Sequence, residues 1–326
     1  MLCISHPGTD PYFNLAAEEH ILKNLSADCF MLWRNDKTIV VGKHQNTLAE
    51  INMEYVRENH ISVARRLSGG GAVYHDLGNL NFTFIINGIE GKLVDFKKFT
   101  LPVQEVLRNL SVNAEFTGKN NLTIKGKKIS GNAEHVYKRR VLHHGTLLFS
   151  SEIDELSLAL RVNPLKYRSK AVKSIRSRVT NIQEHLKAPI DVLQFKDMIL
   201  EHIKNKYPDA ISYEFSNEDL ISINKLREDK YLTWEWNFGY SPKYDFERSF
   251  MTRAGSVQVS LNVSGGIIRN AKISGDLPGN PGISVLEVLL KGSRHEESEL
   301  QKRLESIPFS EYFPDISAGE FIRGLF

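Results

Sequence analysis

A chain of 326 residues with 41% apolar content is long enough for two domains and a sizeable core. Its charged fraction of 25% and net charge of +3 are those of an ordinary globular protein and do not indicate a general nucleic-acid binder. Cys3 and Cys29 make no metal or redox motif, no apolar run approaches a membrane span, and the N-terminus lacks the order of a signal peptide, so a reduced, cytosolic setting is expected.

Thr9-Asp10-Pro11 supplies a capping residue and a proline at the first helical position. Phe13, Ala17, Ile21 and Leu25 then recur every four residues, predicting a helix that ends near residues 24–26. Residues 30–33 and 38–41 are short apolar runs around Asn35-Asp36-Lys37 and read as a hairpin. A polar loop (42–46), a helix near 53–59 and a strand near 61–66 lead into Arg65–Leu80, RRLSGGGAVYHDLGNL. Three consecutive glycines, Gly69, Gly70 and Gly71, let backbone N–H groups approach a bound anion, and Arg65, Arg66 and Ser68 stand beside them. The spacing matches neither a Rossmann turn nor a P-loop, and a plain surface loop is the alternative.

Further on, residues 81–87 read as a buried strand, and 95–110 as a helix that Pro102 either kinks or delays. Strands are expected from 114 to 150, then a short helix at 153–160. The segment 163–181 carries Lys166, Arg168, Lys170, Lys173, Arg176 and Arg178 without an acidic residue and reads as a loop, suited to phosphates, to an acidic partner, or simply to solvent. A helix is expected at 192–203 and a domain junction at the aromatic stretch 234–245. Beyond it, strands 257–263 and 267–273 around Ser264-Gly265-Gly266 form a hairpin, followed by helices at 284–290 and 296–304.

Gly126-Lys127-Lys128-Ile129-Ser130-Gly131-Asn132 sends lysines straight from a turn into a strand. A lysine so fixed can stabilise charge developing in phosphoryl or acyl transfer, whereas the alternative is a pair of exposed hairpin lysines. Asn120 and Asn121 suit a ribose, a phosphate or a hydrated metal, and equally a turn. In His143-His144-Gly145-Thr146 adjacent side chains face opposite sides of a strand, so at most one histidine enters a given pocket. No ligand spacing for zinc is present.

The ordered set DPYFNLAAEE (10–19), WRNDKTIVVGKHQNTLAEIN (33–52), RRLSGGGAVYHDLGN (65–79), KKISGNA (127–133), HHGTLL (143–148), SRVTN (177–181), WEWNFGYSP (234–242) and ISGD (273–276) resembles the lipoate–protein ligase A family of the two-domain type. That resemblance implies an α/β fold built on a mixed α+β sheet, a biotin/lipoate ligase-like catalytic domain over 1–243 and a small C-terminal α/β accessory domain over 244–326. It implies an ATP-dependent reaction in which lipoate becomes lipoyl-AMP and the lipoyl group passes to a lysine of an acidic lipoyl domain. The carriers would be 2-oxoacid dehydrogenase acyltransferase subunits or the glycine-cleavage H protein, and the enzyme a cytoplasmic monomer without nucleic-acid or membrane partners. By the same resemblance Lys128 is the catalytic lysine. Arg66, Ser68, Gly69, Gly70, Gly71, Ala72, Val73, Tyr74, Asn120 and Lys128 hold ATP and lipoyl-AMP, and Gly71, His75, Lys128 and His144 meet lipoate. Where the family has Asn-Asp-Leu or Asn-Asp-Ile this chain has Asn120-Asn121-Leu122, so Mg²⁺ loses a protein carboxylate and is expected to travel on the ATP phosphates, with no protein metal site. The alternatives are an ATP-independent octanoyl or lipoyl transferase and a non-catalytic lipoyl-domain-binding subunit. The transferase needs a cysteine thiolate near the pocket, and RVNPLKY (161–167) holds none.

Overall fold

The computed structural model describes residues 1–88, 94–160, 166–175, 177–253, 255–275, 282–312 and 315–326. Residues 161–165, Arg176 of the basic segment and Asp276 of the ISGD run lie outside them. The chain forms two compact units. The first comprises Met1–Lys43, Tyr55–Leu160 and Ser174–Thr233, and the second His44–Glu54, Arg161–Lys173 and Trp234–Phe326, as far as these are described.

The first unit is built on an eight-stranded mixed sheet. Its strands are β1 (Leu2–Ser5), β2 (Cys29–Trp33), β6 (Asn79–Asn87), β7 (Glu115–Thr117), β8 (Asn121–Ile124), β9 (Lys127–Tyr137), β10 (Arg140–Leu148) and β12 (Ile211–Ser212), in the order β12-β1-β2-β6-β10-β9-β8-β7. A three-stranded sheet, β4-β3-β5, joins β3 (Thr38–Val41), β4 (Ser62–Arg65) and β5 (Val73–His75). Helices α1 (Pro11–Asn24), α2 (Met53–Glu58), α3 (Phe96–Asn109), α4 (Ile153–Ala159), α5 (Val192–Lys206) and α6 (Asn217–Leu226) accompany these sheets, α2 opening in the second unit. α3 and α5 bury Phe99, Val103, Leu107, Phe195, Ile199 and Ile203 in one core with Phe30, Phe82 and Phe84 of the sheet. At about 25 cal/mol per Å² of apolar area, such burial dominates the stabilisation.

Asp10 caps α1 as its sequence requires, its carboxylate accepting from the Tyr12 and Phe13 amides at 2.9 and 3.4 Å. α3 runs without interruption through Pro102. The expected hairpin at 30–41 does not form: β2 pairs with β1 and β6, whereas β3 pairs with β4 and β5. A polar link reads alike whether the chain doubles back or changes sheet. Here Asn35 is fully buried, accepting from Asn14 Nδ2 at 3.0 Å, and so it anchors the link inside the protein instead of turning at the surface.

The second unit has the four-stranded antiparallel sheet β11-β13-β14-β15, made of β11 (Tyr167–Ser169), β13 (Tyr244–Thr252), β14 (Gly255–Ser264) and β15 (Ile267–Gly275). Gly265 and Gly266 have φ of 62° and 70°, the left-handed pair that a two-residue hairpin turn demands. α7 (Gly282–Leu290) packs on β15, with α8 (Glu297–Glu305), α9 (Phe309–Tyr312) and α10 (Ala318–Arg323) following. The segment expected to be only a loop contributes β11, whose Tyr167 is buried with Tyr244 and Phe246.

Candidate active site

Strand β4 and the residue that follows it deliver two arginines into the interior. Arg65 is fully buried and its Nη1 donates to the carbonyls of Gly42 and Lys43 at 3.0 and 3.1 Å. Arg66 is 6% exposed and spends its guanidinium on the glycine loop. Its Nη2 donates to Gly69 and Gly71 carbonyls at 2.7 and 2.8 Å, Nη1 to the Val40 carbonyl at 3.1 Å and Nε to Ser68 Oγ at 3.0 Å. Burial lowers its pKa to about 10, so it stays a cation at neutral pH. The sequence reading turned this fork toward phosphates, whereas three of its donor contacts hold two carbonyls and a hydroxyl of the loop itself and a fourth holds the Val40 carbonyl of β3. Gly42 completes the cradle: a Cβ there would lie 2.1 Å from the Gly70 carbonyl oxygen. Gly70, at φ 92°, takes a conformation that side chains resist.

The basic segment returns to this loop. Ser174 Oγ accepts from the Ala72 amide at 2.8 Å, and residues 178–180 run beside β9, where Lys128 N donates to the Arg178 carbonyl at 2.8 Å and Thr180 N to the Lys128 carbonyl at 3.1 Å. Lys128 is therefore held through its backbone on both sides. A register shift in the β8–β9 pairing places an extra residue of β9 between Lys128 and Ser130. The Lys128 ammonium lies over Gly131, 2.8 Å from where a Cβ would sit. Burial, and then the charge of Arg66, lowers its pKa, so each cation stands in the other's field. Gly131→Ala is accordingly expected to displace the ammonium, lowering turnover by about a hundredfold while thermal stability changes little. Steady-state kinetics beside a melting curve check it.

The two histidines of β10 part as strand alternation requires. His143 is buried against Phe82, Phe96 and Phe99, with Nδ1 2.9 Å from Glu134 Oε1. His144 faces the glycine loop, its Nε2 2.6 Å from Ser68 Oγ. On β5, Val73 and His75 share one side and Tyr74 the other. Tyr74 is buried with its hydroxyl unpartnered, and burial, then the Asp76 charge, raises its pKa. His75 is 3% exposed and its Nδ1 accepts from Asn35 Nδ2 at 3.1 Å, leaving Nε2 buried and unpartnered. Burial, then the charge of Arg66, lowers its pKa to about 3. An unfolded histidine takes a proton near pH 6.5, so this neutral ring supports the fold fully above that value. Stability should fall as pH drops from about 6.5 toward 3, by up to about 1.4 kcal/mol per unit. Urea unfolding at pH 7, 6 and 5 checks it, and an unfolding free energy that is flat over that window contradicts it.

Arg66, Ser68, Gly69, Gly71, His75, Lys128 and His144 thus form one neighbourhood. Asn120 is spent on the β8–β9 hairpin, its Nδ2 donating to the Asn132 carbonyl at 2.5 Å. Glu18, Thr83 and Ser174 escaped the sequence reading, which named Gly131 only as part of the run around Lys128. Their signal is weak: Glu18 sits in a helix whose residues 14–22 are all buried, so no polar face betrays it. Among the described residues no group of three His, Cys, Asp or Glu side chains is placed to hold a metal. Nor is any helix among them long and apolar enough to cross a membrane.

Residues 10–204 match the lipoyl protein ligase A/B catalytic domain, and residues 241–325 match the bacterial lipoate protein ligase C-terminus. The chain is 45% identical to lipoate–protein ligase 1 of Staphylococcus aureus over 97% of its own length and 96% of that protein's. It is similar to P. falciparum LipL1 in complex with lipoate, with a TM-score of 0.61, 25% identity and 94% of each chain covered. A lipoate-protein ligase A bound with ATP matches at the same TM-score of 0.61 and 25% identity, over 73% of this chain and 98% of that one. By its catalytic and C-terminal matches and by its near full-length likeness to a curated relative, the chain belongs to the lipoate–protein ligase family.

Proposed function

We infer that this chain is an ATP-dependent lipoate–protein ligase. The observation that carries the chemistry is the Lys128 ammonium, held across Gly131 within the field of Arg66 and beside the loop that Arg66 shapes. In the first step a lipoate carboxylate oxygen attacks the α-phosphorus of ATP and pyrophosphate leaves. Lys128 neutralises charge gathering on the acyl and phosphoryl oxygens, acting electrostatically and not as a nucleophile. In the second step a lysine amine of a lipoyl domain attacks the acyl carbon, the C–O bond to AMP breaks and the amine's proton passes to solvent. Ser68, Gly69, Gly70, Gly71, Ala72, Val73, Tyr74 and Asn120 are proposed to border the nucleotide. His75, His144 and Gly71 are proposed to border lipoate, and Arg66 to act through its charge and its hold on the loop. The donor set around Lys128 and Arg66 is cationic and does not fit a protein-held Mg²⁺, which we propose arrives on the ATP phosphates. Exposed Arg168, Lys170 and Lys173 suit an acidic lipoyl domain as carrier. We also propose that residues 1–243 carry the catalysis and 244–326 the accessory role, in a cytoplasmic monomer.

Both thiols are buried and their pKa values raised by that burial, Cys29 to about 11, which is unsuited to the thiolate that a carrier-to-carrier transferase needs. Cys3→Ala with Cys29→Ala is expected to leave ligation intact. Incubation with ATP, lipoate and an isolated lipoyl domain should add one lipoyl group to the domain by intact mass and release AMP. Modification that proceeds without ATP would refute the reading.

A further inference from the structure

A polar chain runs through the first unit from the sheet to the glycine loop, and Glu18 of α1 is its centre. Glu18 is 2% exposed. Its Oε1 accepts from Thr83 Oγ1 at 2.6 Å, and Thr83 Oγ1 in turn accepts from Trp33 Nε1 at 2.9 Å. His144 Nδ1 lies 3.0 and 3.2 Å from the two carboxylate oxygens, while its Nε2 lies 2.6 Å from Ser68 Oγ. Ser68 Oγ already accepts from Arg66 Nε at 3.0 Å. For a neutral imidazole, one arrangement of protons satisfies all of these contacts. The carboxylate can only accept, so His144 carries its proton on Nδ1; Nε2 must then accept, so the Ser68 hydroxyl hydrogen points at His144. Turning the ring over would set Cδ2–H against Glu18 and Cε1–H against Ser68, losing both contacts.

We propose that Glu18 is a positioning residue for the ligase reaction: through His144 it fixes the hydroxyl of Ser68 and, with Arg66, the shape of the loop from Ser68 to Gly71. Glu18 itself touches no reacting atom in this account, and its activity readout rests on the ligase reading given above. The same logic, a buried carboxylate that selects a histidine tautomer for a hydroxyl partner, governs catalytic triads, here applied to a loop and not to a nucleophile.

The test is made on the full chain with ¹⁵N-labelled histidine. In the wild type, His144 should show the Nδ1–H tautomer; an Nε2–H tautomer or an imidazolium at pH 8 overturns the proposal without any assay of activity. Glu18→Gln puts an amide N–H within reach of His144 Nδ1, and the tautomer should switch to Nε2–H. The lipoate kcat/KM of pyrophosphate exchange should then fall at least tenfold. Once Ser68→Ala has removed the far end of the chain, adding Glu18→Gln should cost little more. A tautomer that survives Glu18→Gln, or losses that multiply in the double variant, would show that Glu18 only supports the fold. Exchange absent from the wild type would sink the ligase reading instead, leaving the tautomer result standing on its own.

Discussion

Lys128→Ala is expected to abolish both half-reactions, with exchange and lipoyl transfer reduced by at least a thousandfold and the melting temperature within about 2 °C of the wild type. The activity loss follows from removing a cation placed where charge develops; one such donor is worth about 10²–10³ in rate. A second contribution comes from orientation, because the ammonium is expected to bridge the carboxyl and phosphoryl groups and so to align them. Stability is spared because the Lys128 backbone, not its side chain, makes the contacts to residues 178 and 180. The half-buried side chain also carries an unfavourable desolvation that alanine removes. Lys128→Arg should rescue poorly, since a broad guanidinium has to fit over Gly131 beside Arg66. Activity in Lys128→Ala within tenfold of the wild type would remove the residue from the chemistry.

Arg66→Lys should hurt in a different way. The arginine makes four contacts along divergent directions, to Val40, Ser68, Gly69 and Gly71. An ammonium on a flexible stem has three donors and no planar fork, so buried carbonyls are left without partners. Each such group costs about 1–3 kcal/mol, and a total near 3 kcal/mol is expected. For a unit of this size that is a drop of roughly 5–10 °C in melting temperature. The loop should loosen as well, so exchange falls at least a hundredfold through both KM for ATP and kcat. A variant that melts with the wild type yet loses activity would assign Arg66 to direct substrate contact and not to loop architecture.

These two outcomes show how unevenly the site could be read from residues alone. Lys128 was legible because a Gly turn sends it into a strand, and because the runs around it resemble a known family. What put it in place was less visible: the register shift in β9, the space above Gly131 and the return of Ser174 and of residues 178–180 are tertiary facts with no local signature. Arg66 was legible as a cation beside the glycines but not in its bonding, since a guanidinium serves a phosphate and a carbonyl equally well. Glu18 was hidden by its helix. α1 is buried on almost every side, so the usual rule that a charged residue marks the wet face fails there. The strands from 114 to 150, the helices at α3, α5, α7 and α8 and the hairpin at Gly265-Gly266 followed from periodicity and turn chemistry. The link at 34–37 did not, because a turn and a change of sheet ask for the same residues.

The measurement that bears most directly on the central claim is ATP–pyrophosphate exchange by the purified wild-type chain with no carrier protein present. Exchange that appears only when lipoate is added, and disappears in Lys128→Ala, is the expected result. No exchange with lipoate and ATP, alongside acyl transfer from an already acylated carrier, would contradict the account.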